Sequence, residues 1–146
     1  MKDTIEIKGE IHIILKDENG NVKDERTVPN LIVTAGKNFI ADQLSTTPGS
    51  TKMTHMAIGT GTTAANAADT TLQTELDRNA VTSSTDSGAI LTVVGDWAAG
   101  DGTGAITEAG IFNAASGGTM LCRSVFSVIN KAAGDTLSMS WAITFS

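Results

Sequence analysis

Leu137, Met139, Trp141, Ile143 and Phe145 fall on one parity, and Ser138, Ser140, Ala142, Thr144 and Ser146 fall on the other. An apolar side chain at every second position is the pattern of a strand with one face in a core and one in water. On a helix the same five side chains would scatter around the whole surface. The opening of the chain repeats the pattern. Ile5, Ile7, Ile11, Ile13 and Leu15 share a parity with Gly9, while Glu6, Lys8, Glu10, His12 and Lys16 take the other, Ile14 being the exception. A chain that begins and ends on such strands is expected to be antiparallel β, and 21 threonines against 2 prolines agree with that.

Between these strands the turn signals are frequent. Asp17-Glu18-Asn19-Gly20-Asn21 contains Asn-Gly, which predicts a type I′ hairpin turn with φ > 0 at both central residues. The return strand, Val22 to Val28, is polar. A two-residue loop sets Ile13 opposite Arg26 and Leu15 opposite Asp24, so either the register is bulged or the hairpin buries only its first strand. Leu31 to Val33 reads as a short buried strand. Thr34 is the expected N-cap of a helix from about Ala35 to Leu44, with Phe39, Ile40 and Leu44 as its apolar stripe. Further strands are expected at Met53 to Gly59, Ala80 to Thr82, Ala89 to Trp97 (buried on both faces), Ala105 to Phe112 (interrupted at Gly110) and Met120 to Ile129. Thr70 to Leu76 reads as one helical turn or an extended segment. Eight or nine short strands predict a mainly β single domain: an antiparallel β-sandwich, jelly-roll-like, with one or two short helices.

The 146 residues suit one domain. Residues 1–34 form a charged N-terminal hairpin arm, 35–44 the helix, and 53–146 a low-charge β body. Residues 1–44 hold 14 of the 26 charged side chains. A net charge of −6 argues against a nucleic-acid partner, which calls for a basic surplus. No apolar run approaches the ~20 residues of a membrane-spanning helix, and no signal-peptide pattern opens the chain, so a soluble, non-secreted protein is expected. The single cysteine, Cys122, excludes an internal disulfide framework.

Each candidate for chemistry has a plainer structural explanation. Gly59-Thr60-Gly61-Thr62-Thr63-Ala64 matches a dinucleotide-binding fingerprint, with Asp77 near the place of the ribose-binding acid. That motif needs a helix and parallel strands around it, and no strand–helix alternation follows. Asp17, Asn19 and Asn21 resemble calcium-loop ligands, but Gly20 stands at the fourth position rather than the sixth. Asp96, Asp101 and Glu108 surround a glycine-rich turn and read as solvated carboxylates. Cys122 lacks an evident base, since His12 and His55 each sit within a strand pattern. Trp141 lies on the core-facing parity, which leaves Trp97 as the one tryptophan candidate for stacking a sugar. The expectation is a protein without enzymatic activity, cofactor or metal.

Two stretches carry a resemblance. Thr54-His55-Met56-Ala57-Ile58-Gly59-Thr60-Gly61 runs through Asp69-Thr70-Thr71-Leu72 to Glu75-Leu76-Asp77-Arg78. Thr107-Glu108-Ala109-Gly110-Ile111-Phe112-Asn113-Ala114 then leads to Met120-Leu121-Cys122-Arg123-Ser124-Val125-Phe126. This order resembles small virion proteins of tailed bacteriophages and the N-terminal module of phage tail-collar fibre proteins. Lys8-Gly9-Glu10 and Pro29-Asn30-Leu31-Ile32-Val33-Thr34-Ala35-Gly36-Lys37 are similar to the start of stand-alone members. The resemblance implies a virion structural protein, assembled in the host cytoplasm and without catalytic residues. The chain stops at Ser146 without a repetitive shaft, which favours a capsid decoration (cement) protein over a tail fibre, collar or neck-baseplate adaptor. Its expected partners are the major capsid protein or other virion proteins, and further copies of itself in a homo-oligomer, with no nucleic acid and no membrane. A small carbohydrate-binding β-sandwich is the outside alternative. The Ile5, Ile7, Ile11 and Ile13 face, poorly matched by its hairpin partner, is the expected interface.

Overall fold

The computed structural model describes residues 3–146. Ten strands and one helix follow in the order β1 (Ile7–Lys16), β2 (Val22–Pro29), β3 (Leu31–Ile32), α1 (Thr34–Leu44), β4 (His55–Gly59), β5 (Glu75–Ala80), β6 (Ser83–Ser87), β7 (Ile90–Trp97), β8 (Gly104–Phe112), β9 (Met120–Lys131) and β10 (Thr136–Phe145). They form two five-stranded sheets, β2-β1-β10-β7-β6 and β3-β9-β8-β4-β5. Every pairing is antiparallel. The result is a β-sandwich. The first strands wrap onto the last, β1 on β10 and β3 on β9, and the remaining hairpins stay within one sheet.

The two strongest alternations meet at the centre of the first sheet. β1 runs against β10 with Ile11 opposite Trp141 and Ile13 opposite Met139. Their inward faces close against Met56, Ile58, Ile106, Ile111 and Ile129 of the second sheet, all fully buried. Ile11 and Ile13 are therefore core residues, and the strip they form is matched by the opposite sheet rather than by the hairpin. Among the four expected interface residues, Ile7 is half-buried and only Ile5 is exposed.

The hairpin keeps the register read from its loop length, with Ile13 opposite Arg26 and Leu15 opposite Asp24, and is also bulged between Leu15 and Lys16. The turn is not type I′. Gly20 has φ +83°, no other residue type has positive φ among the described residues, and the Gly20 N–H donates to Asp17 O. That is a type I turn closed by a left-handed glycine, the three-residue alternative. Asp17 completes it by accepting the Asn19 and Asn21 N–H groups, each at 2.9 Å, so these residues form a turn and not a calcium loop. On β2 the inward positions Asp24 and Arg26 pair with each other, and Arg26 reaches Ser127 O at 2.9 Å. An ion pair thus closes the sandwich where the sequence offered no apolar partner.

Five expectations change in detail. Val33, not Thr34, caps α1, and no side chain caps it; the Thr34 N–H donates instead to Ala67 O. Phe39 is buried, but Leu44 points to solvent. β7 buries one face only, with Val93 and Trp97 inside and Ile90 exposed. Val81 and Thr82 form no strand; the chain switches sheets there. β8 passes through Gly110 without interruption. No helix is long and apolar enough to cross a membrane among the described residues.

Candidate functional site

The outer face of the second sheet carries the most elaborate polar arrangement. Glu108 on β8 is fully buried. Its carboxylate accepts the N–H groups of Gly61 at 2.7 Å and of Gln73 and Thr74 at 2.8 Å. A fourth hydrogen bond comes from Arg123 Nε at 3.1 Å. Arg123, on β9 and also buried, spends its other donors on Asp69 at 2.9 Å and on the carbonyls of Thr63 and Ala64. Thr107 donates to Gly61 O at 2.7 Å. The segment 60–74 is thereby held across β8 and β9 as a third layer. Leu72 sits beneath it in a small separate core with Val33, Ala57, Phe112 and Met120.

The spacing of small residues follows from this layer. Gly59 lies opposite Glu108, and Ala57 lies opposite Gly110. A Cβ on Gly59 or Gly61 would overlap the Glu108 carboxylate. The glycines that imitate a dinucleotide fingerprint therefore let backbone donors reach a buried protein carboxylate instead of a pyrophosphate. Asp77 lies on β5 opposite Ile58 and does not join them.

A second bracket lies beside the first. Arg78 stacks on Phe112, its guanidinium carbon 3.8 Å from the ring centroid. It pairs with Glu75 at 2.6 Å and donates to Ala114 O and Gly117 O. One arginine so holds the 113–118 turn onto β5. Glu75, Arg78, Glu108 and Arg123 are all engaged with protein partners.

The remaining candidates separate. Asp96 accepts from Thr82 Oγ1 and Asp101 accepts from Asn79, while Glu108 belongs to the bracket. No three His, Cys, Asp or Glu side chains among the described residues are placed to hold a metal. Cys122 is fully buried, and burial pushes its thiol far above the ordinary range, so it holds no thiolate. His12 lies on Glu25 and His55 on Thr54 Oγ1, neither against Cys122. Trp97 is as buried as Trp141, so it offers no stacking face to a sugar.

One titratable cluster went unread in the sequence. Asp77 and Asp101 share a hydrogen bond beside the buried Lys131, whose Nζ donates to Ala98 O at 3.0 Å. Burial, then the hydrogen bond and charge of Asp101, raise the Asp77 carboxyl above its ordinary 3.8. Asn79 and Asp77 hold Asp101 below that value. A raised folded pKa contributes stability at low pH that is lost as pH rises through the raised value. Asp77→Asn, which cannot ionise and can still donate to Asp101, is expected to melt above wild type at neutral pH, with the gap closing below pH 3.8. Thermal melts across pH 3–8 check this, and a less stable variant at neutral pH contradicts it.

Comparison of the chain with protein-family models, with curated proteins and with solved structures returns no match.

Proposed function

We propose that the protein is a non-enzymatic structural module of a bacteriophage virion, acting as a capsid decoration protein through surface contacts repeated by symmetry. The observation that carries this reading is the convergence of the residues behind the resemblance. Gly59, Gly61, Asp69, Leu72, Glu108 and Arg123 are scattered over more than sixty positions, yet they build one buried bracket. A resemblance that falls on a single physical unit supports a shared fold rather than a chance likeness. The chemistry-bearing residues within it are consumed by the fold, which leaves the surface as the working part. A decoration protein needs such a body: many modest contacts summed over a symmetric shell, with no deep site.

Quantitative mass spectrometry of purified virions of the phage encoding this chain tests the reading. Decoration predicts copies on the order of hundreds, comparable with the major capsid protein. A handful of copies per particle moves the protein to the tail, collar or neck. Absence from the purified particle overturns the virion assignment altogether.

A further inference from the structure

The sandwich is closed loosely where α1 meets β7. On β6, Ser84 pairs with the buried Val93 and Asp86 with Leu91, so both hold the inward parity, yet both are exposed. The β6 strand therefore runs beyond the cover of the second sheet. The helix α1 lies beside the opening but buries only Gly36 and Phe39. Gly36 sits so close to the Leu121 backbone that a Cβ there would overlap it, and Phe39 enters the main core. A cleft of about 220 Å³ remains between the helix, Met53 and β7. Buried Phe39, Leu121 and Ile143 line it, with half-buried Ile40, Met53 and Leu91. Its polar members are Gln43, Lys52 and Ser84, the last two exposed. Lys52 Nζ donates to Gln43 Oε1, and no acidic side chain among the described residues forms an ion pair with it. Asp42, beyond Gln43, already accepts the N–H groups of Gly49 and Ser50, and Asp86 lies outside the lining.

We propose that this cleft binds a short apolar chain ending in a carboxylate, the chain against Phe39, Met53 and Leu91 and the carboxylate on the Lys52 ammonium. The lining selects the chain. It is apolar apart from three side chains, and apolar surface with a few polar groups is the ordinary make-up of a small-molecule site. The volume selects the length. At about 220 Å³ the cleft falls below the ~300–1,000 Å³ of sites for drug-sized ligands, so a short chain suits it. The charge selects the head group. An ammonium without an acidic partner attracts an anion and repels a cation. Beside it, the exposed Ser84 hydroxyl offers a second donor, and a carboxylate has two oxygens to accept them. An occupant would also tie α1, which has no side-chain cap, to β7. None of these residues belongs to the Glu108 bracket, and the site stands or falls separately from the virion assignment.

Titration of the full chain with sodium butanoate, hexanoate and octanoate tests the site, read by the methyl NMR signals of Ile40, Met53 and Leu91. Affinity is expected to rise about fourfold per added methylene until the cleft is full. The exposed Val128, outside the lining, is expected to stay unmoved. Octanoate is also expected to raise the melting temperature, since it binds the folded chain. Octylamine carries the same tail with the opposite charge, and is expected to bind about threefold to tenfold more weakly than octanoate. Lys52→Glu is expected to reverse that preference, and Lys52 is exposed, so the change leaves the fold intact. Any of four results overturns the proposal. These are methyl signals that do not move with octanoate, equal binding of octanoate and octylamine, and an unchanged preference in Lys52→Glu. The fourth is movement of Val128 along with the rest, which marks detergent-like binding.

Discussion

Deleting residues 1–16 is expected to leave a chain with no cooperative unfolding transition. The charged composition of this segment suggests a detachable arm, but β1 is an inner strand, bonded to β10 on one side and β2 on the other. Its removal takes Ile11, Ile13 and Leu15 out of the core. Each such loss costs about 2–5 kcal/mol, so the three together reach about 6–15 kcal/mol, the whole stability of an ordinary domain. The deletion also strips β10 of one ladder and leaves β2 without a neighbour. Circular dichroism melts of the truncated chain check this. A sigmoidal melt at a wild-type temperature would mean that the body folds alone and the arm is indeed an appendage.

Glu108→Ala is expected to cost about 3–5 kcal/mol, the range for breaking a buried charge pair by removing one partner. The substitution orphans three backbone donors at once, Gly61, Gln73 and Thr74, and leaves Arg123 buried with Asp69 as its remaining carboxylate. Arg123→Met is expected to cost less, because the Glu108 carboxylate keeps its three backbone donors. Chemical denaturation of the two variants orders them, and a loss for Arg123→Met as large as that for Glu108→Ala would contradict the central place of the carboxylate.

The frame of the fold was readable because its central strands are half-wet. β1 and β10 each bury one face and expose the other, so period two is written plainly in Ile11, Ile13 and Leu15 and in Leu137 to Phe145. The strand β6 was invisible for the opposite reason. Ser83–Ser87 lies at a sheet edge with every residue exposed, so no apolar residue marks its pleat. A local signal was present all the same in Ser87-Gly88-Ala89-Ile90. Gly88 takes φ +57°, and Ser87 pairs with Ile90 across a two-residue loop. The bracket was not legible in the sequence. Its members come from segments far apart in sequence, and a buried glutamate looks like a solvated one until the amides that surround it are placed. The Asp77–Asp101 pair was hidden likewise, since it joins β5 to the turn before β8.

Native-state hydrogen exchange at Gly61, Gln73 and Thr74 tests most directly whether the Glu108 arrangement is a structural bracket. All three amides lie in or beside a segment without regular secondary structure, where unanchored N–H groups exchange quickly. The Glu108 carboxylate accepts all three, so they are expected to exchange as slowly as their neighbours on β8 and β9, and to be released first in Glu108→Gln. Exchange in the wild type as fast as at the exposed Ala115 and Ser116 would contradict the account.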